Sequence, residues 1–193
     1  MKHFNNTSPL VIIALICYSC AFSQTTPDKM SVKGDPGGKT KIHIKSNVFA
    51  HEGMIPSKYT CDGENVSPPF SWGHTPEGTK SIAIINNDTD APMGTWVHWV
   101  IYNIPPDITG LPENVPAKKA LENGAIQGIN DFKSIGYGGP CPPSGTHRYY
   151  FKIYALDKVL ELKAGATTKE LLEAMEKHII GEGAFMGKYS GDK

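Results

Sequence analysis

Apolar residues in the middle of the chain fall into short runs with the character of β-strands. Some runs alternate apolar and polar positions, and others are unbroken and rich in β-branched or aromatic residues. The clearest runs cover residues 42–45, 81–86, 96–102 and 149–156. Pro and Gly punctuate the intervals, and short strands separated by such turns are typical of antiparallel sandwiches and barrels. The pattern therefore predicts a mainly β fold.

A helix is predicted near the C-terminus. Thr167 is followed three residues later by Glu170, which is the spacing of a capping box at a helix start. Residues at helical spacing follow, and the series is Leu171, Leu172, Met175, His178 and Ile179. We interpret His178, on or near the apolar face, as a structural residue rather than a ligand.

The N-terminal segment differs from the rest of the chain. Lys2 and His3 precede an apolar run over residues 10–17, which is shorter than the roughly 20 residues needed to span a bilayer. Residues 21–23, Ala-Phe-Ser, have the small-x-small spacing of a signal-peptidase site. We interpret residues 1–23 as a cleaved secretory signal peptide, with a buried N-terminal strand or helix as the alternative. The protein is then expected to be secreted or periplasmic.

A lipid anchor is the alternative form of export. Cys20 follows the apolar run, as the acceptor cysteine of a lipoprotein would. Cys17 and Tyr18 depart from a lipobox, which prefers an aliphatic and a small residue there. If Cys20 were acylated, the protein would be tethered to a membrane.

One folded domain is expected after the leader. Residues 24–40 are polar and rich in Gly and Pro, which indicates a linker. Residues 41–193 then form a single domain, since a chain of 193 residues suits one sizeable core. Lys+Arg and Asp+Glu both total 19, so the formal net charge is +0. The chain lacks the excess of positive charge that attracts nucleic acid. Nucleic acid is therefore not an expected partner.

Export changes the interpretation of the remaining cysteines. Removal of residues 1–23 leaves Cys61 and Cys141. In an oxidising compartment such a pair can form a disulfide. Two buried free thiols are the alternative, because the sequence does not give the distance between them.

Two segments, 88–98 and 138–149, carry the candidate chemistry. Each places polar and aromatic side chains beside Gly- and Pro-rich stretches at the end of an apolar strand. Because side chains on one face of a strand recur every two residues, one face of each strand can surround a common cavity. The predicted cavity residues are Asp88, Asp90, Trp96, His98, His147 and Tyr149. Val97 and Trp99 are expected on the opposite face of their strand.

The chemistry of this set favours an anion. Two imidazoles together with backbone N–H groups can hold a phosphate or a carboxylate. Gly138 and Gly139 let the backbone approach a ligand closely and can direct N–H groups toward it. Nearby carboxylates would orient the two rings and raise their pKa values. The residues therefore predict a small anion pocket.

Two long blocks of the chain resemble the signature blocks of the phosphatidylethanolamine-binding protein family. The first is DTDAPMGTWVHW at residues 88–99, followed by Asn-Ile-Pro at 103–105. The second is YGGPCPPSGTHRYYFKIYALD at residues 137–157. Residues 59–69 and 127–132 are similar to the family's bacterial Raf-kinase-inhibitor-like branch.

The resemblance runs from about residue 42 to Tyr189. It implies a two-sheet antiparallel Greek-key β-sandwich with a C-terminal helix, and a pocket for phosphate-like anions or phospholipid headgroups. By position, the family's ligand residues fall on Asp88, Trp96, His98, Gly139, Pro140, His147 and Tyr149. The resemblance also implies that residues 90–92 shape the rim, with a cis bond near such prolines. Arg148 is then expected to be an internal ion-pair or hydrogen-bond partner.

The expected function is a non-enzymatic binding protein of the cell envelope, without a cofactor, that holds a small anion or a phospholipid headgroup. A protein partner that it modulates or inhibits, and a homodimer, stay open. One alternative is a protease- or kinase-type inhibitor that acts through surface loops. Another is a metal-assisted hydrolase, because carboxylates and imidazoles suit zinc or iron. The chain lacks the His-Glu-x-x-His and Gly-x-Ser-x-Gly motifs of common hydrolases.

Overall fold

The computed structural model describes residues 38–191 and, besides these, residues 1 and 3. The predicted signal peptide, apart from those two residues, and the predicted linker up to residue 37 lie outside the described residues. Strand β1 (Thr40–Lys41) begins next to the predicted domain start at residue 41.

A six-stranded sheet forms the main layer of the fold. Its remaining strands are β4 (Ser81–Asp88), β5 (Trp96–Ile104), β7 (Ile126–Gln127), β8 (Gly145–Leu156) and β9 (Ile179–Gly191). Their order is β1-β9-β8-β4-β5-β7. Neighbours are antiparallel except β1 and β9, which pair in parallel. The long strands β4, β5 and β8 are therefore adjacent at the centre of the sheet.

A smaller sheet packs on one face of the first. It contains β2 (Ile44–Lys45), β3 (Phe70–Trp72) and β6 (Gly110–Leu111), in the order β2-β3-β6. The core between the sheets includes Phe70 and Trp72 from the small sheet and Ile84, Trp99 and Phe151 from the large one. The predicted fold class is confirmed, since the described chain is mainly β with two sheets and one α-helix.

The other face of the large sheet is covered by helix α1 (Thr168–Met175). The predicted capping box is present, because the Thr167 side chain accepts from the Glu170 N–H and the Glu170 carboxylate accepts from the Thr167 N–H. Leu171 and Met175 are fully buried in this second cluster. All eight residues of β4 are consequently buried, which explains why the strand contains an unbroken apolar run at residues 82–85 rather than an alternating pattern.

The helix is shorter than its periodic pattern predicts. It ends at Met175, and Ile179 instead begins β9, where it pairs with Leu156. Leu172 is 45% exposed and does not belong to the buried face. Strand pairing thus competes successfully with helix extension, and the prediction that His178 and Ile179 continue the helix is wrong.

A β-bulge interrupts the pairing of β4 with β5. Asn86 faces Trp99 and Asn87 faces Val97, so His98 is an extra residue on β5. Val97 therefore packs in the helix-side cluster, and Trp99 packs in the core between the sheets. The prediction that Val97 and Trp99 share a face is wrong, because the bulge reverses the alternation between them.

No membrane-spanning helix and no cis peptide bond is found among the residues that the structure describes. The cis bond that the resemblance implied near residues 90–92 is therefore not present in this structure.

Gln127, in β7 of the large sheet, is a buried amide whose N–H groups and oxygen are all hydrogen-bonded. Gln127 is 0% exposed, and its Nε2 donates to the carbonyls of Pro116 and Lys118, at 2.8 Å each. Its Oε1 accepts from the indole Nε1–H of Trp99 at 2.7 Å. This side chain ties the loop before β7 to the core strand β5.

Replacement of Gln127 by methionine is expected to destabilise the fold by about 2–4 kcal/mol, because the substitution keeps the volume and leaves buried polar groups without partners. Urea denaturation measures the free energy of unfolding. Glu122→Met, on the exposed part of the same loop, is the control and should change it by less than about 0.5 kcal/mol. Equal effects of the two substitutions would contradict the role given to Gln127.

Candidate functional site

A cavity of about 380 Å³ opens where β4, β5 and β8 meet the loops that follow or precede them. Its floor, formed by Asp88, His98 and His147, is polar and buried. Its mouth, formed by Met93, Trp96 and Phe132, is apolar. The lining residues are Asp88, Ala91, Pro92, Met93, Trp96, His98, Phe132, Cys141, Pro142, Pro143, His147 and Tyr149. The two predicted segments therefore meet at one cavity.

The floor contains a histidine–carboxylate pair. His147 lies in β8 and Asp88 ends β4, and His147 Nδ1 lies 2.7 Å from Asp88 Oδ2. An ionised carboxylate can only accept, so Nδ1 carries the proton and donates it. Asp88 Oδ1 also accepts from the Asp90 N–H at 2.8 Å. The orientation of the His147 ring is fixed, and its Nε2 is the nitrogen left for a ligand.

The second histidine is placed by the bulge. His98 is 2% exposed, and its Nδ1 lies 2.7 Å from the Gly138 carbonyl oxygen. The Gly138 N–H donates in return to the His98 carbonyl at 2.9 Å. Because a carbonyl can only accept, the Nδ1 of His98 is also the protonated nitrogen. Burial lowers the pKa of His98, and this effect exceeds the opposing effects of the Gly138 carbonyl and the Asp88 charge. The Asp88 charge acts in the predicted direction, but burial outweighs it, so the pKa of this ring is lowered rather than raised overall.

Aromatic rings connect the floor with the mouth of the cavity. The His98 ring makes T-shaped contacts with Tyr149 and with Phe132, and the centroid distance is 5.2 Å in both cases. Phe132 in turn contacts Trp96 at 5.5 Å, also T-shaped. Burial, reinforced by the Asp88 charge, raises the pKa of Tyr149, so its hydroxyl stays protonated.

Residues 141–143, in the loop over residues 138–143, line one wall of the cavity, and a segment distant in sequence holds this loop. The Gly139 N–H donates to Asn65 Oδ1 at 2.7 Å, and the Pro140 carbonyl accepts from the Cys61 N–H at 3.0 Å. A Cβ atom on Gly139 would lie 2.6 Å from Asn65 Oδ1, so this close approach requires glycine. The structure thus uses the N–H groups of Gly138 and Gly139 internally, and not toward the cavity as the sequence suggested.

A disulfide joins the same two segments. Cys61 and Cys141 are bridged, with a Cα–Cα distance of 5.4 Å. Of the two interpretations that the sequence left open, the structure has the bridge. Because Cys141 also lines the cavity, the cross-link anchors the wall at the site itself.

Asp90 pairs with Arg148 and does not line the cavity as predicted. Its carboxylate accepts from the Arg148 backbone N–H, Nε and Nη2, at 2.8, 2.8 and 2.6 Å. The Arg148 guanidinium lowers the pKa of Asp90 to about 2. β4 ends at Asp88, so the alternation that placed Asp90 in the cavity does not extend that far. Arg148 is the internal ion-pair partner that the resemblance implied.

Five of the predicted site residues line the cavity, and these are Asp88, Trp96, His98, His147 and Tyr149. Asp90, Gly139 and Pro140 are not among the lining residues. Their predicted contribution to ligand binding has no direct geometric support, although Gly139 and Pro140 shape the wall through Asn65 and Cys61.

Sequence reasoning missed two side chains at the mouth, Met93 and Phe132. Met93 is 99% exposed in the loop before β5, and Phe132 is 43% exposed. Both are large apolar residues in polar, turn-rich segments, which was an available signal. The C-terminal residues 184–189 lie in β9, and none of them lines the cavity.

Within residues 38–191, no three His, Cys, Asp or Glu side chains are placed to share a metal ion. Asp88 and Asp90 are directed to His147 and Arg148 respectively. The cluster that suggested a metal site in the sequence is therefore divided between two separate pairs.

The model of the phosphatidylethanolamine-binding protein family matches residues 45–190 of the chain. The chain belongs to this family. Among its relatives, a UPF0098 protein of Methanothermobacter thermautotrophicus is 55% identical over 148 residues, which cover 77% of this chain and 98% of that protein. The predicted family membership is confirmed.

Solved structures of the phosphatidylethanolamine-binding protein family agree with the fold. Chlamydia trachomatis CT736, described as a putative member, is 40% identical with a TM-score of 0.73, covering 80% of this chain and 100% of that one. Escherichia coli YbcL, described as a new member of the mammalian family, is 31% identical with a TM-score of 0.72, covering 78% of this chain and 99% of that one.

The lowered pKa of His98 predicts a loss of stability in acid. Below its unperturbed value of 6.5, the unfolded chain binds this proton and the folded state does not, so the free energy of unfolding decreases as the pH falls. His98→Asn removes the titration and keeps an N–H donor near Gly138. We expect a shallower decrease of stability in this variant than in the wild type as the pH falls below 6.5, measured by urea denaturation.

His178→Asn is the control for this comparison, because His178 lies outside the cavity and pairs with Asp157. It should leave the pH dependence attributed to His98 in place. The assignment fails if His98→Asn and the wild type lose stability with the same slope.

Proposed function

We propose that this protein is a non-enzymatic binding protein that holds a small anion, such as a phosphate group or a phosphorylated headgroup, in the cavity. The supporting observation is the arrangement of His98 and His147. In both rings Nδ1 is committed to an internal acceptor, Gly138 or Asp88, so Nε2 of each remains for a ligand at the same cavity.

The tautomers give the proposed site a dependence on pH. A neutral imidazole has a single N–H group, and in both histidines it lies on Nδ1. The Nε2 atoms can therefore donate to an anion only when the rings are protonated. Binding of an anion that accepts these hydrogen bonds takes up protons, and its affinity falls as the pH rises.

The lining residues favour binding over catalysis. Among them the only cysteine is Cys141, whose sulfur is in the disulfide, and the only hydroxyl is that of Tyr149, whose pKa is raised. Neither offers an activated nucleophile. With the carboxylates of Asp88 and Asp90 directed to separate partners, a metal-assisted hydrolase has less support than a binding protein.

Saturable stabilisation by phosphate and sulfate is the expected result for the mature domain. Ligand bound to the native state raises the apparent stability by RT ln(1 + [L]/Kd), which a thermal-unfolding titration measures. Sulfate cannot donate a proton near neutral pH, so its stabilising effect should be larger at about pH 6 than at about pH 8. His98→Ala and His147→Ala should each weaken binding by roughly tenfold to a hundredfold, the size of a lost charged hydrogen bond.

His178→Ala is the matched control, because His178 makes the same Nδ1–carboxylate contact with Asp157 outside the cavity. It should leave anion affinity within about twofold of the wild type. Stabilisation that all three alanine variants retain would place the anion elsewhere and refute the proposed site.

We also propose that the protein acts in an oxidising compartment, reached through the predicted signal peptide. The Cys61–Cys141 bridge supports this, since disulfides persist outside the reducing cytosol. After expression of the full chain in a Gram-negative host, we expect a periplasmic protein whose first residue is Gln24, measured by fractionation and mass spectrometry. An acylated Cys20 at the N-terminus would favour the lipoprotein form, and a chain that retains Met1 would refute export.

A further inference from the structure

The cavity is larger than a bare anion requires. Its volume is about 380 Å³, which lies in the range of pockets for small organic ligands. At roughly 30 Å³ for each water molecule, it has room for about a dozen waters. A phosphate that contacts both histidines would occupy only the floor, so the ligand has room for a further group.

Polarity divides sharply between the floor and the mouth. The polar groups of Asp88, His98 and His147 are buried, with exposures of 3%, 2% and 7%. The mouth presents Met93, Trp96 and Phe132, which are 99%, 36% and 43% exposed. Exposed apolar side chains that adjoin a binding cavity indicate contact with an apolar part of a ligand. A group attached to the bound anion would leave the floor along Phe132 and Trp96.

The carboxylates around the cavity are engaged within the fold. Asp88 pairs with His147, and Asp90 makes three hydrogen bonds to Arg148. Asp131, beside Phe132, accepts from the Val97 N–H at 2.7 Å through Oδ2. Arg148 neutralises the charge of Asp90, and the hydrogen bonds to Asp88 and Asp131 occupy carboxylate oxygens that an ammonium group on a ligand would otherwise approach.

The aromatic rings at the mouth also favour an apolar group over a cation. Trp96 and Phe132 meet at an interplanar angle of 75°, and Phe132 and His98 meet at 73°. In such T-shaped contacts the edge of one ring covers the face of another. A cation binds over ring faces, so these contacts reduce the area available to it.

We propose that the cavity selects organic phosphate monoesters whose ester group is compact and apolar, in preference to zwitterionic ethanolamine phosphates. The inference rests on the proposed anion site and specifies its ligand class. The histidines of the floor bind the phosphate, and Met93, Trp96 and Phe132 contact the ester group.

A matched pair of ligands tests the proposal. Propyl phosphate and phosphoethanolamine have the same chain length and differ in a terminal methyl or ammonium group, and inorganic phosphate is the reference. We expect propyl phosphate to bind at least about fivefold more tightly than phosphoethanolamine, as judged by calorimetric titration of the wild type. Equal or tighter binding of phosphoethanolamine would overturn the proposal and would indicate that the rings act on a cation.

Two variants locate the preference on the mouth. In Phe132→Ala and Met93→Ala, the ratio of propyl phosphate affinity to inorganic phosphate affinity should fall toward one. Met54→Ala is the matched control, because Met54 is 55% exposed and lies outside the cavity lining, and it should keep the wild-type ratio. An unchanged ratio in Phe132→Ala and Met93→Ala would overturn the inference.

The titration with inorganic phosphate distinguishes failure of this inference from failure of the proposed function. If inorganic phosphate binds and both organic phosphates bind no better, only the ligand class is wrong. If none of the three ligands binds saturably, the anion site itself is refuted.

Discussion

Burial of β4 on both faces is the constraint on which the site depends. The small sheet covers one face of this strand and helix α1 covers the other, yet its last three residues are Asn86, Asn87 and Asp88. Buried polar groups are costly unless they are hydrogen-bonded. Asp88 meets this requirement through His147, whereas the Asn86 amide has no hydrogen-bond partner among the described residues. The end of a core strand thus becomes polar at a cost in stability, which is typical of functional sites.

Local sequence patterns predicted the elements better than their ends. The capping box at Thr167 and the apolar character of β4 depend on neighbours in the chain, and both are present in the structure. The end of α1, the end of β4 at Asp88 and the bulge at His98 depend on which strands pair across the sheet. Alternation alone could not locate the bulge, so it placed His98 near the cavity but Trp99 on the wrong face.

The wall of the site could not be predicted for a related reason. Gly138 and Gly139 were expected to offer N–H groups to an anion, but these groups bind the His98 carbonyl and Asn65. Asn65 and Cys61 lie far from the wall in sequence, and no periodicity connects them with it. A disulfide and hydrogen bonds from this segment fix the loop, and through Gly138 they also fix the His98 ring. The ring orientation is therefore a property of the whole fold.

The two parts of the cavity have different physical roles. In the function that we propose, the floor recognises the charge of an anion, because Nε2 of each histidine is the nitrogen left for a ligand. Under the same proposal, the mouth recognises the shape and polarity of the group attached to the anion, because its exposed side chains are apolar and the carboxylates around the cavity make contacts within the fold. Family membership and the residues of the floor support an anion ligand without defining what is attached to it. If the floor binds a phosphate as proposed, the side chains that contact the rest of the ligand, Met93, Trp96 and Phe132, determine which phosphorylated ligand is preferred.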